Sequence, residues 1–598
     1  MTKFLRFSCV AIAAVLASRL LAGVNLLDLV DEQCPVVISV QDMPALVKNW
    51  EQSPWAKTWN DEQMRKFLAP LRAEMKIDHW DESCKAETGY TVSELLAMAK
   101  GQLMVALMSA DFDVDAASPE IPVLIAIELG ANTSKVAKII AENDAKEHTT
   151  VKKEDFGGVE LHIYQKSADD NSDDFVWAMD DGIWLLSPSK TTIQKTIDAM
   201  KKGRVASPLS GSDRYLQVRK RNPDANVTLL ANVQAIYPVL KTAAEKQAEG
   251  KGATMGMPPG AILDAVGLAT LRDLYLSVEV GEGATSISGG LTYSELKGLF
   301  KMMAYKDGPV AQPGFVSEKW IAASSMNFSF PEAYGALKEF LEALNPMISG
   351  IVQAQVKNLN QQLGIDLERD LIGSLGTSVI VGTAPRPGAS EDSPTALSEM
   401  DQFYSVSLGN PVSFTKAVDA IKRMMGPQAE SMLTKREYLG QTIYTAASNG
   451  KPGQMGFSYA ITPKYLFVSV GSASAIETAV QGLAGKQPSL WQKSEVKAAL
   501  NDLPANASAF EYQNTRRMVG SMIETLVQLA PLFNSRSRPM AQDEENDAPA
   551  RAETPSGAFD LSAKPDSVAI SKYWNSAFGY AWRTSQGIFI QSKVNHPK

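Results

Sequence analysis

With 598 residues, 45% of them apolar and 21% charged, the chain is too long for one core and too apolar to be disordered. It predicts two or more globular domains. A formal charge of −9 repels phosphate backbones and argues against nucleic acid as a partner.

The N-terminus places Lys3 and Arg6 before an apolar run from Phe7 to Ala17, the order of a secretory signal peptide. Val15-Leu16-Ala17 and Leu20-Leu21-Ala22 are small-residue cleavage sites, so a mature chain is expected to begin at Ser18 or Gly23. Arg19 interrupts the stretch and argues against a permanent span, which leaves an uncleaved anchor as the alternative for residues 1–22. Cys9 precedes both cleavage sites, so a lipid-anchored start is not indicated. Export implies a periplasmic or secreted protein, with membrane contact at most through this segment. Losing Lys3 and Arg6 takes the charge from −9 to −11. Cys34 and Cys84 remain; in an oxidising compartment they are candidates for one disulfide, with two buried thiols as the alternative.

A first module, residues 34–307, opens with a β-branched strand, Val36–Val40. Asp42-Met43-Pro44 then supplies a cap and an early proline for a helix reaching Trp50. A helix over Asp61–Met75 and a short one over Thr91–Lys100 precede strands Leu103–Leu107 and Val123–Leu129 and a helix at Ser134–Glu142. Val159–Tyr164, Phe175–Met179 and Ile183–Leu186 read as antiparallel strands, the last two joined by the hairpin turn Asp180-Asp181-Gly182. Helix Thr191–Lys201, strand Val227–Ala231, helix Val233–Lys246 and strands Leu274–Val280 and Thr285–Thr292 complete it.

Residues 316–598 replay that order. Ile321–Phe330 is the opening strand, and Pro331 starts a helix with Tyr334, Leu337, Leu341, Leu344, Ile348, Val352 and Leu359 on one stripe, divided at Asn345-Pro346. Burial against its own sheet is the expectation for this stripe, a partner groove the alternative. Strands follow near Val379–Val381, Phe403–Leu408, Thr442–Ala446, Phe457–Ile461 and Tyr465–Val470, with helices at Ala473–Leu483 and Thr515–Leu529. Phe175 and Phe457 lie 282 positions apart, Ala225 and Ala505 280, Leu129 and Leu408 279, and Gly101 and Gly376 275. Chance matches would scatter; ordered offsets mark a tandem repeat. Asn534–Gly557, rich in Ser, Pro, Asp, Glu and Ala, predicts a disordered insertion, and 251–260 and 384–394 smaller loops. The fold class expected is α+β: two tandem homologous modules, each a mainly antiparallel sheet with helices on one face. Regular βαβ alternation with a glycine-rich first turn is missing, which argues against a dinucleotide fold.

Reactive constellations are not found. His79, His148, His162 and His596 form no HxxxH or HExxH pattern and read as exposed or locally satisfied. Asp111, Asp113 and Asp115 resemble the start of a calcium loop, but its sixth and twelfth places hold Ala116 and Pro122, so a solvated acidic turn is expected. Gly456-Phe457-Ser458-Tyr459-Ala460 lacks the last glycine of a nucleophile elbow, and Ser458 reads as an outward strand residue. Ser189-Lys190-Thr191 lacks upstream glycines and reads as a helix start. Asn132, Asn226, Asn327 and Asn506 stand in glycosylation triplets that matter only in a eukaryotic secretory route. No catalytic, cofactor-binding or metal residue is therefore assigned, and no cofactor is expected.

The opening Val37–Trp50 followed by Ser53-Pro54-Trp55-Ala56 has an aliphatic strand, an acidic cap, a short helix and a small-residue/proline step. It resembles the opening of uncharacterised exported bacterial proteins with a duplicated α+β module, a domain of unknown function. The resemblance implies an envelope location and carries no catalytic residues. The expectation is a non-catalytic exported protein with a binding or structural role at the envelope and an unknown envelope partner or ligand. The alternatives are a carrier or chaperone for apolar cargo, lipid or unfolded protein, motivated by 23 methionines, and a hydrolase with an unrecognised site.

Overall fold

The computed structural model describes residues 24–111, 121–146, 151–164, 175–248, 257–388, 394–426, 431–446, 456–536 and 558–597. The expected signal segment and nearly all of the expected insertion 534–557 lie outside the described residues. Two compact units emerge. The first runs to Gly252 and adds Leu271–Leu291 and Leu532–Ala563; the second comprises Ala253–Thr270, Thr292–Pro531 and Lys564–Lys598. These borders differ from the expected 34–307 and 316–598. Phe559 joins the first unit because its ring stacks on Phe67 at 5.2 Å and the Asp560 amide donates to the Phe67 carbonyl at 2.9 Å.

The first unit is built on an antiparallel sheet. Its strands are β1 (Val36–Val40), β2 (Leu103–Leu107), β3 (Val123–Glu128), β4 (Val151–Phe156), β5 (Val159–Tyr164), β6 (Phe175–Asp180), β7 (Ile183–Ser187), β8 (Val227–Asn232) and β9 (Leu271–Val280). Their order is β4-β5-β6-β7-β3-β2-β1-β8-β9, and β9 turns at Gly281-Glu282-Gly283 into β10 (Ala284–Tyr293). The side chains facing one way are buried: Val37 and Ser39, Met104 and Ala106, Leu124 and Ala126, Thr228 and Leu230, Tyr275 and Ser277. Period-two patterning puts these on a single face.

Seven helices of this unit matter below: α1 (Met43–Gln52), α2 (Ile77–Thr88), α3 (Val92–Leu96), α4 (Thr133–Lys146), α5 (Lys190–Lys202), α6 (Asp213–Arg221) and α7 (Val233–Ala248). Ser189 caps α5 by accepting from the Thr192 amide at 3.2 Å. That helix buries Thr192, Ile193, Thr196 and Ile197 and lies against β3, β6 and β7. Three threonines, Thr191, Thr192 and Thr196, cost helix propensity of roughly half a kcal/mol each, and burying Ile193 and Ile197 returns about 1.5–3 kcal/mol each, so packing wins.

Helices also cover the opposite face at one end, so the expectation of helices on one face is corrected. Cys84 of α2, Leu95 of α3 and Val136, Ile139 and Ile140 of α4 close over Ile127, Trp177, Trp184 and Leu186. The reason lies in Ile183-Trp184-Leu185-Leu186, an unbroken apolar run suited to a strand buried on both sides.

The second unit has strands β11 (Ala322–Asn327), β12 (Leu375–Pro385), β13 (Met400–Leu408), β14 (Leu433–Tyr438), β15 (Gln441–Ala446), β16 (Phe457–Ile461), β17 (Tyr465–Val470), β18 (Ala507–Asn514), β19 (Ser576–Arg583) and β20 (Gly587–Asn595). The order is β14-β15-β16-β17-β13-β12-β11-β18-β19-β20, all antiparallel. Counted from each unit's first strand, the two orders coincide through the ninth place. Helices α8 (Phe330–Leu344), α9 (Pro346–Leu363), α10 (Pro411–Met425), α11 (Ser474–Leu483), α12 (Ser494–Asn501) and α13 (Thr515–Arg536) accompany it. Ala475, Ile476, Ala479 and Val480 of α11 and Val496 of α12 join Phe403, Ile443, Ala460 and Phe467 in one core.

Small details recur as well. The Leu209 amide donates to the Val30 carbonyl at 2.8 Å in the first unit, as Leu490 does to Val316 at 2.8 Å in the second. Asn232 ends β8 and caps α7 through the Ala235 amide at 3.1 Å; Asn514 ends β18 and caps α13 through Arg517 at 3.0 Å. Where Cys34 sits against the Leu107 carbonyl at 3.1 Å, Trp320 lies over Gly382, where a Cβ would come within 2.5 Å of the ring. The larger ring is accommodated by removing a side chain.

The α8–α9 stripe departs from expectation. Asn345 ends α8 and caps α9 through the Met347 amide at 2.9 Å, so the division at Asn345-Pro346 is real. None of the seven stripe residues is fully buried; Val352 is 39% exposed, and Met347 and Ile351 beside it 74% and 56%.

Candidate functional site

Because one face of each sheet is buried, the residues between the core positions face the other way. In the first unit the register aligns Lys153, His162, Trp177, Leu186, Ile125, Val105, Ile38, Leu229 and Leu276 in one rank across nine strands. At its β4 end His162 lies flat on Trp177, ring centroids 3.7 Å apart and planes 8° from parallel. Burial lowers the His162 pKa, with Lys153 adding to it, while Glu160 opposes the shift.

From Ile125, which still packs against the cluster under α2–α4, the rank is aliphatic and opens toward β9. Ile125, Val105, Ile38 and Leu229 are half-buried, and Leu276 is 43% exposed. A neighbouring rank, Val123-Leu107-Val36-Ala231-Leu274, ends at Leu274, 47% exposed. From β3 to β9 this strip crosses five strands, roughly 20 Å at sheet spacing. None of these ten side chains can donate or accept a hydrogen bond, so the strip can hold only hydrocarbon-like surface. Each CH₂ laid on it gains about 0.8 kcal/mol.

The second unit has the matching rank: Lys435, Tyr444, Tyr459, Val468, Tyr404, Val381, Ser324, Glu511, Gly579 and Ser592. Here too a stacked aromatic pair stands at the β14 end, Tyr444 on Tyr459 at 4.9 Å and 9°. Lys422 of α10 places its ammonium 4.2 Å from the Tyr444 ring centroid. Past Val468 the character changes: Tyr404 is 41% exposed, Ser324 and Glu511 replace aliphatic residues, and Gly579 leaves the place beside Glu511 empty of side chain. Glu511 is exposed, and desolvation by the protein around it raises its carboxyl pKa.

The residues singled out from the sequence do not converge on a site. Cys34 and Cys84 are both buried, and no disulfide joins them in this structure. Cys34 donates to the Val36 and Leu107 carbonyls at 3.3 and 3.1 Å, while Cys84 belongs to the cluster under α2–α4. Burial pushes the Cys34 thiol up to about 12. Only thiolate reacts, so at pH 8 the folded protein should resist iodoacetamide and both thiols should label after denaturation. Rapid alkylation of Cys34 in the native protein, read by mass spectrometry, would contradict this burial.

Ser458 is turned inward, 1% exposed, within hydrogen-bonding distance of Thr445 at 3.0 Å; the outward reading is corrected, because Phe457, 41% exposed, and Tyr459, itself buried, take the opposite face. Ser189 caps α5 as expected. His596 is buried. Asp111 is exposed, whereas His148, Asp113 and Asp115 and the side chain of His79 lie outside the described residues. Among the described residues no three His, Cys, Asp or Glu side chains are grouped to hold a metal, and no helix is long and apolar enough to cross a membrane. The open sheet faces were missed in the sequence, although apolar residues on both sides of β2, and of β1 and β3 apart from Ser39 and Glu128, were a usable signal.

No protein-family model and no curated protein matches the chain. Among solved structures, crystal form I of TP0453 aligns over 46% of this chain and 80% of that one, with a TM-score of 0.21 and 8% identity, too slight a likeness to carry an argument.

Proposed function

We propose that the chain is a tandem duplication of one α+β module and acts as an exported, non-catalytic binding protein for apolar ligands. Shared strand order, the paired caps at Asn232 and Asn514, and two ranks that both begin with lysine and a stacked aromatic pair support common ancestry of the modules. The signal-like N-terminus supports export. The apolar-ligand reading rests on one observation: the aliphatic strip from Ile125 to Leu276 is left partly open to solvent in a protein with ample polar residues to cover it.

This is the carrier alternative brought forward from the sequence. Exposed aliphatic surface is costly to keep in water, and a hydrocarbon ligand would relieve that cost. Dodecanol, uncharged and flexible, is the appropriate probe. Calorimetric titration should show saturable binding with a negative heat-capacity change. Absence of saturable binding across the solubility range of the alcohol would remove the reading.

A further inference from the structure

We infer that the sheet face of the second unit binds the cationic amine head of an amphiphile, with the Glu511 carboxylate as its counter-charge. The inference rests on the apolar-ligand reading above and deepens it.

The observation behind it is a local difference between matching ranks. Where the first unit has Ile38, Leu229 and Leu276 side by side, the second has Ser324, Glu511 and Gly579 in the same register. The exchange replaces three aliphatic side chains with a hydroxyl, a carboxylate and an open place. A Cβ on Gly579 would lie 3.5 Å from the Gln591 carbonyl oxygen and 3.8 Å from both Cβ and Oε2 of Glu511, so the carboxylate leans toward the glycine, which sets no side chain of its own against it. The rows on either side carry Met326, Ala509, Ala581 and Ile590, then Ala322, Gln513, Ala577 and Val594. Ile590 is 54% exposed. A lone acid on an otherwise largely apolar open face complements a ligand with one positive group and a hydrocarbon tail.

Alternatives fit less well. A carboxylate or phosphate head would meet Glu511 as a like charge. A neutral alcohol would use Ser324 and leave the carboxylate uncompensated. An ammonium satisfies both, donating to Glu511 while its tail covers Ala581 and Ile590. Because the protein already desolvates this carboxyl, an amine would draw it into its charged form, and the advantage of the amine should fade in acid.

The test compares dodecylamine, dodecanol and dodecanoate on the full chain by calorimetry. Wild type should bind the amine roughly tenfold more tightly than the alcohol, and dodecanoate most weakly. Glu511→Gln and Glu511→Leu should remove the preference for the amine while leaving dodecanol affinity within about twofold, and acidification should do the same in wild type. Equal binding of amine and alcohol by wild type, or a preference that survives both substitutions, would overturn the inference while leaving the apolar-ligand reading intact. If dodecanol itself does not bind, the broader reading fails and this inference with it.

Discussion

Asp401→Ala should destabilise the second unit by about 3 kcal/mol, because this carboxylate, with no exposed surface, organises the start of α11. It accepts hydrogen bonds from the Ser472 amide at 2.7 Å, the Ser472 and Ser474 hydroxyls at 2.6 and 2.5 Å, and Arg386 Nε at 3.0 Å. Removing it leaves the part-buried Ser472 and Ser474 donors short of a partner, each costing about 1 kcal/mol, the low end of the range for an unsatisfied group. Arg386 is 37% exposed and can turn to water, which keeps the loss at the lower end of the range for broken buried pairs. Asp401→Asn keeps the volume and one acceptor and should cost about half as much. Urea unfolding followed through the buried Trp320 and Trp491 would report the change. A midpoint for Asp401→Ala matching wild type would show that α11 is held by its apolar face alone.

That anchor was not legible in the sequence. Asp401 is one of 67 acidic residues, and its serine partners lie 71 and 73 positions away, at the α11 start. Local chemistry was legible where it is self-contained. Asp180-Asp181-Gly182 gives the β6–β7 turn, with Asp181 and Gly182 both at positive φ, and Asp42 and Asn345 cap the helices they precede. Elsewhere Asp61–Met75 reads as one helix but folds as short pieces, because Pro70 restarts the chain and Asp61 caps a separate turn.

The strands β4 and β14 were passed over in the sequence. Lys152, Lys153, Glu154 and Asp155, like Lys435, Arg436 and Glu437, do not alternate with apolar residues. Each strand stands at the end of its sheet order, where charge prevents edge-to-edge pairing and an apolar face is not required. The ranks were hidden for a different reason. They depend on β3 pairing with β7 and β1 with β8, contacts between strands far apart in sequence, and period-two patterning says which face a residue takes but not which neighbour it meets. Even the irregular offsets have a structural counterpart: the β12 register shifts between Leu375 and Val379, where four positions on β12 face two on β13, which adds two residues to the spacing between Gly376 and the rest of its strand.

Leu229→Glu should lower dodecanol affinity by roughly a hundredfold while leaving the fold intact. Leu229 lies within the aliphatic strip, between Ile38 and Leu276. A carboxylate there would be desolvated beneath the hydrocarbon or would have to bind a proton, and either cost is about 2–3 kcal/mol or more. A hundredfold loss corresponds to about 2.7 kcal/mol. The stability cost should stay below about 1 kcal/mol, since the site is partly open and strand propensities span only that range. The second unit offers a direct precedent, carrying Glu511 at the matching place in β18. Leu229→Met, which preserves apolar character and volume, should change affinity by no more than about threefold. Lowering the pH until the new carboxyl protonates should restore much of the lost binding, distinguishing charge from shape. Unchanged dodecanol binding by a folded Leu229→Glu protein would mean that hydrocarbon does not lie on this sheet, whatever else on the chain attracts it.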